Sequence, residues 1–194
     1  SSCARARSRY CAIDSTSLWV RVYVSDSNGP SANIRVYIFV DSDASSAPGG
    51  PADAAEVESE LTPDPTAGGY DYVNSDNDPY DDNGHGSHVS GIVASTHSTY
   101  RGIAPNASII AVKVCNSTGS CGTDHIVSGI DWCVNNASRF NISAISMSLG
   151  GGLYSSYCDG SSSFRRPIDD AVVKNISVVV AAGNSGSTTG ISDP

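Results

Sequence analysis

Basic residues are scarce in this 194-residue chain: 11 Lys and Arg stand against 20 Asp and Glu, a formal net charge of −9. That balance offers nothing to the phosphates of nucleic acid or to an anionic membrane surface, and neither is expected as a partner. Long hydrophobic runs are missing as well. No apolar stretch approaches the roughly 18 residues a membrane span needs. Glutamate is nearly absent, with 17 of the 20 acids being Asp. Asp is favoured in loops over helix interiors, so the negative charge is expected in connections. No cysteine pair has C-x-x-C spacing, which argues against zinc ligation and thiol-redox chemistry. No internal repeat is visible. The chain starts at Ser1 with no Met and no signal-peptide core, the pattern expected of a mature or trimmed product. What remains is an acidic globular domain; a chain of this size buries roughly 70% of its unfolded surface, enough for one sizeable core.

Six cysteines are present, close together in sequence as Cys3 with Cys11, Cys115 with Cys121, and Cys133 then Cys158. Local disulfides in an exported protein are the expected reading, although six cysteines allow about 15 connectivities. Cys115 and Cys121 bracket a turn and are expected to pair; Cys133 with Cys158 and Cys3 with Cys11 complete the set. Sequons at Asn106, Asn116, Asn136, Asn141 and Asn175 agree with secretion and glycosylation.

Residues 1–30 read as an N-terminal extension of unassigned function, ahead of one domain over 31–194. Leu18–Val24 and Ile34–Val40 carry the apolar and β-branched content of strands. A Pro/Gly/Ala/Ser-rich connection follows to Gly69, with a short helix over Ala52–Leu61. Beyond it the signals alternate. Helices are expected at Gly86–Thr96, Thr123–Asn135 and Pro167–Lys174, and strands at Ala107–Val114, Ile142–Leu149 and Ile176–Ala182. Such alternation predicts an α/β fold, a predominantly parallel sheet with helices on both faces. In these sheets chemistry gathers beyond the carboxyl ends of the strands, and three of those ends carry polar residues: Asp41, Ser148-Leu149-Gly150 and Gly183-Asn184.

The most informative segment is His85-Gly86-Ser87-His88-Val89-Ser90-Gly91-Ile92-Val93-Ala94. It resembles the H-G-T-H-V-A-G-x-x-A signature of subtilisin-like serine proteases. Ala111-Val112-Lys113-Val114, Ile145-Ser146-Met147-Ser148-Leu149-Gly150-Gly151 and Val178-Val179-Val180-Ala181-Ala182-Gly183-Asn184 match three further family motifs in the family's order. The resemblance covers residues 31–194.

It implies a secreted serine endopeptidase, in which a Ser attacks the peptide carbonyl, a His takes its proton and an Asp orients that His. By motif, His85 is the general base, and its ordinary pKa lets it shuttle a proton near neutral pH. Asn184 is the side-chain donor to the oxyanion. Asp41, at a strand end and 44 residues before His85, is the orienting acid, although Asp43 stands where the family has Gly. The nucleophile has no match. No Gly-Thr-Ser run occurs, and the expectation is an incomplete domain, truncated before the nucleophile segment, that works as a monomer once that C-terminal segment is supplied. Ser120-Cys121-Gly122 and Ser148-Leu149-Gly150 resemble the two segments that flank an extended peptide substrate as extra strands, with Leu149 contributing to side-chain pockets. His88 is read as structural, and His97 and His125 as solvated.

Asp71, Asp76, Asp78, Asp81 and Asp82 crowd into twelve residues before His85. Such crowding costs like-charge repulsion unless water or a cation screens it. The spacing Asp71…Asn74…Asp76…Asp78 resembles the calcium loop of thermitase-like subtilases, so these four are the expected ligands of a structural calcium ion. A solvated acidic turn is the other reading. The alternative function is an inactive, calcium-binding pseudoprotease that holds extended peptides.

Overall fold

The computed structural model describes residues 35–39, 69–105, 107–156, 160, 162–184 and 186–193, with backbone alone for 35–39 and 191–193. Asp41, Cys3, Cys11, Cys158, Asn106, the strand expected at Leu18–Val24 and the helix expected at Ala52–Leu61 lie outside the described residues.

Among the described residues five strands form one sheet: β1 (Arg35–Phe39), β2 (Tyr70–Asp71), β3 (Ser108–Lys113), β4 (Ile142–Met147) and β6 (Ser177–Val180), in the order β2-β3-β1-β4-β6. Every pairing is parallel. The expected α/β class is thereby observed. Register levels the carboxyl ends: Phe39 is opposite both Val112 and Met147, and Met147 is opposite Val180. A separate antiparallel pair joins β5 (Gly151–Tyr154) to β7 (Ile191–Asp193). This small sheet was not foreseen, because Gly151-Gly152 reads as loop.

Among the described residues three helices cover the sheet: α1 (His85–Ala94), α2 (Thr123–Phe140) and α3 (Arg165–Val173). α2 and α3 pack on each other and against β4 and β6, while α1 lies against β1 and β3. Alternate strand residues Ile110, Val112, Ile145 and Met147 join Ile126, Ile130, Cys133 and Phe140 of α2 in one apolar core. α1 instead buries Gly86, Ser87, Ser90, Gly91 and Ala94, small residues that let its backbone approach the sheet closely. Its last turn is closed by the returning chain, where the amides of Ile103 and Ala104 donate to the carbonyls of Ile92 and Val93. Gly102 is required there, since a Cβ would fall 2.6 Å from the amide nitrogens of Ala94 and Ser95.

α2 runs past the Asn135 at which the sequence reading ends it. Phe140 is buried and stacks on Trp132 with ring centroids 5.7 Å apart, so the last turn gains packing that outweighs the poor helix propensity of Asn. Asn141 then stops the helix in the left-handed conformation, its amide donating to the Ala137 carbonyl.

Candidate active site

His85 is the first residue of α1 and follows Gly84, whose φ of 98° turns the chain into the helix. No side chain of Gly84 can cap that helix, so the duty passes upstream. Asp81 Oδ1 accepts from the amides of Asn83 and Gly84 at 3.1 and 2.9 Å. Its Oδ2 accepts from the amide and the hydroxyl of Ser87 at 2.7 and 2.8 Å. Burial alone would raise this carboxyl, but the donations from Gly84 and Ser87 outweigh it and hold it below the ordinary Asp range. His85 itself is half-buried, and its amide donates to Asn83 Oδ1 at 3.4 Å.

The loop before His85 is fastened to the carboxyl end of β3. Lys113, the last residue of that strand, donates from Nζ to Asp82 Oδ2 at 2.8 Å and stands 3.5 Å from Asp71 Oδ2. Asn83 Nδ2 donates to the Ser117 carbonyl at 3.1 Å. His85 therefore opens its helix at the edge of the sheet where Val112, Met147 and Val180 end in one row. Asn184 reaches the same edge from β6: the amide of Ala181 donates to the Met147 carbonyl, and Gly183, with φ of 89°, turns the chain so that Asn184 is solvent-exposed. Asp41 follows the end of β1, the strand between β3 and β4, by two residues and is itself outside the described region.

Ser120, Cys121 and Gly122 also follow β3. The Cys115–Cys121 disulfide closes their loop, as expected, and Asn116 Oδ1 holds it from within by accepting from the amides of Thr118 and Ser120. Gly122 leads into α2. Across the edge, Ser148 is half-buried and Gly150 exposed. Leu149, between them, is 2% exposed and belongs to the apolar core.

Cys133 is a free thiol buried in the core, with burial pushing its pKa up; Cys158, its expected partner, lies outside the described residues. Asp71, Asn74, Asp76 and Asp78 do share one turn, yet both oxygens of Asp71 and one of Asp76 are spent on it. Asp71 Oδ1 accepts from the amides of Val73 and Asn74, and Oδ2 from Asn74 Nδ2. Asp76 Oδ1 accepts from the amide of Asp78. Among the described residues no group of three or more His, Cys, Asp or Glu is arranged to hold a metal ion, and this donor set does not fit calcium.

Sequence reasoning missed Asp81 as the helix cap and Lys113 as a buried cation. A lone lysine inside an otherwise apolar strand was the available signal, since a buried ammonium requires partners.

These features coincide with known proteins. The sequence model of the Subtilase family matches residues 11–194, and the chain belongs to that family. It is 43% identical over 123 residues to subtilisin DY of Bacillus licheniformis, covering 62% of this chain and 41% of that protein. Against subtilisin E of Bacillus subtilis it is 41% identical over 124 residues, covering 62% of this chain and 30% of the relative. The chain thus spans less than half the length of these curated relatives. Among solved structures, sphericase superposes with a TM-score of 0.59 at 27% identity, over 84% of this chain and 50% of its own. A cold-adapted subtilisin-like serine proteinase gives 0.54 at 29% identity, over 78% and 47%. Among the described residues no helix is long and apolar enough to cross a membrane.

Proposed function

We propose that this chain forms part of a secreted subtilisin-like serine endopeptidase, with Asp41, His85 and Asn184 in its catalytic centre. The observation that carries the reading is the convergence of His85, Asn184 and the end of β1 on one carboxyl edge of a parallel sheet. In the proposed reaction His85 takes a proton from a serine hydroxyl and returns it to the leaving amine. Asp41 holds the imidazole in the tautomer that can accept. The exposed Asn184 amide donates to the carbonyl oxygen as it becomes an oxyanion, without adding charge to the site. The serine lies outside these 194 residues, which contain no Gly-Thr-Ser run. Substrate is an extended peptide paired by main-chain hydrogen bonds with Ser120-Cys121-Gly122 on one side and Ser148-Leu149-Gly150 on the other. The disulfide and the sequons support an oxidising, extracellular setting.

A fluorophosphonate probe tests this. The product of the full reading frame should label at one serine, and His85→Ala should abolish labelling. Equal labelling of both forms would refute the assignment of His85.

A further inference from the structure

The misfit between the acidic loop and a metal ion has a positive counterpart. We propose that the Lys113 ammonium is the resident cation of the loop, taking the place of a bound metal and locking the segment that leads into His85 onto β3. Asp71 is fully buried and Lys113 is 1% exposed, so neither charge is screened by water. Lys113 reaches Asp71 Oδ2 at 3.5 Å and Asp82 Oδ2 at 2.8 Å, one cation between two carboxylates. With Val73, Asn74 and Lys113 as neighbours, both oxygens of Asp71 are occupied. A divalent ion entering here would have to displace an ammonium and several amide donors at once. The span of the clamp is what matters: Asp71 ends β2, Lys113 ends β3, and Asp82 lies three residues before His85. One ammonium therefore joins two strand ends to the catalytic loop. This inference does not depend on peptide hydrolysis, because melting and amide exchange read it.

The first experiment compares melts of the chain in excess calcium and in excess chelator. The Tm should be the same in both, and no calcium should remain after gel filtration; a shift of several degrees with retained calcium overturns the proposal. Lys113→Met should then lower the Tm by about 10 °C, since an unpaired buried carboxylate is left behind. Adding Asp71→Asn and Asp82→Asn to Lys113→Met should recover part of that loss. A Lys113→Met melt equal to wild type, or no recovery in the triple variant, counts against it. Should Lys113→Met fail to fold, Asp82→Asn, altering a partly exposed partner, serves instead. Amides of Asn83, Gly84 and Ser87 should exchange roughly fivefold faster, and unchanged exchange overturns the clamp.

Discussion

Asp81 and Ser87 are joined twice: one carboxylate oxygen accepts both the amide, at 2.7 Å, and the hydroxyl, at 2.8 Å, of the same residue. The family motif has Thr where this chain has Ser87, and the geometry explains why the exchange is harmless. What the site uses is a β-hydroxyl one turn into α1, which both residues supply. Ser87→Thr should leave stability unchanged. Ser87→Ala should cost about 1 kcal/mol, and Asp81→Asn about 2 kcal/mol, because an amide cannot accept from Ser87 and Gly84 on both of its atoms. Urea unfolding of the variants checks the order. An Asp81→Asn variant as stable as wild type would mean that the cap does not hold the helix start.

The same carboxylate predicts a pH dependence. The Asp81 pKa is lowered in the folded state, so its contribution is present above the unfolded value of 3.8 and lost as pH falls through the native one. Stability of the wild type should therefore decline below pH 4 more steeply than that of Asp81→Asn. The two curves should converge at the acid end. Denaturant midpoints measured between pH 2 and 7 give the comparison, and parallel curves would contradict it.

Much of the fold was legible because its strands and helices alternate with strong periodicity. Ile142 to Met147 and Ser108 to Lys113 fall within the segments expected, since β-branched runs buried on a parallel sheet leave little ambiguity. Elements that depend on partners distant in sequence were not. β2 is two residues long and exists through pairing with Val112 and Lys113, and β5 through pairing with β7. At the candidate site, His85 and Asn184 were singled out by motif, and both are at the carboxyl edge of the sheet. The ionic partners were misread because a count of carboxylates does not show where each oxygen points. Five nearby Asp suggested a bound cation, whereas the ammonium that stands between Asp71 and Asp82 comes from β3: Lys113 is 31 positions after Asp82.

Asn184 should act on the transition state and hardly on substrate binding. In the product of the full reading frame, Asn184→Ala should lower kcat by about 10²–10³, the loss known for the equivalent donor in subtilisin, with KM changed little. Its exposed position and the turn at Gly183 make a folding defect an unsuitable explanation, and a Tm equal to wild type would confirm that. A rise in KM with kcat unchanged would assign Asn184 to ground-state binding instead.

The cysteines give the last prediction. Cys115 and Cys121 are six positions apart, so their bond constrains a short loop of the unfolded chain. Loop-closure entropy for that length amounts to about 2 kcal/mol, less than a long-range bridge would give. Replacing both with Ser should cost stability of that order and loosen the Asn116–Ser120 turn next to the proposed substrate strand. Asn116 still holds that turn through Thr118 and Ser120, so its loss should be partial. Cys133 differs in kind. Its thiol is fully buried among Ile130, Phe140 and their neighbours, and burial holds it protonated. A neutral, inaccessible thiol is a poor nucleophile. Iodoacetamide should therefore leave Cys133 unmodified in the native chain and alkylate it after denaturation, as peptide mapping under non-reducing conditions would show. Recovery of Cys133 in a disulfide-linked peptide, or its rapid alkylation in the native chain, would mean that the core around α2 opens far more readily than its packing indicates.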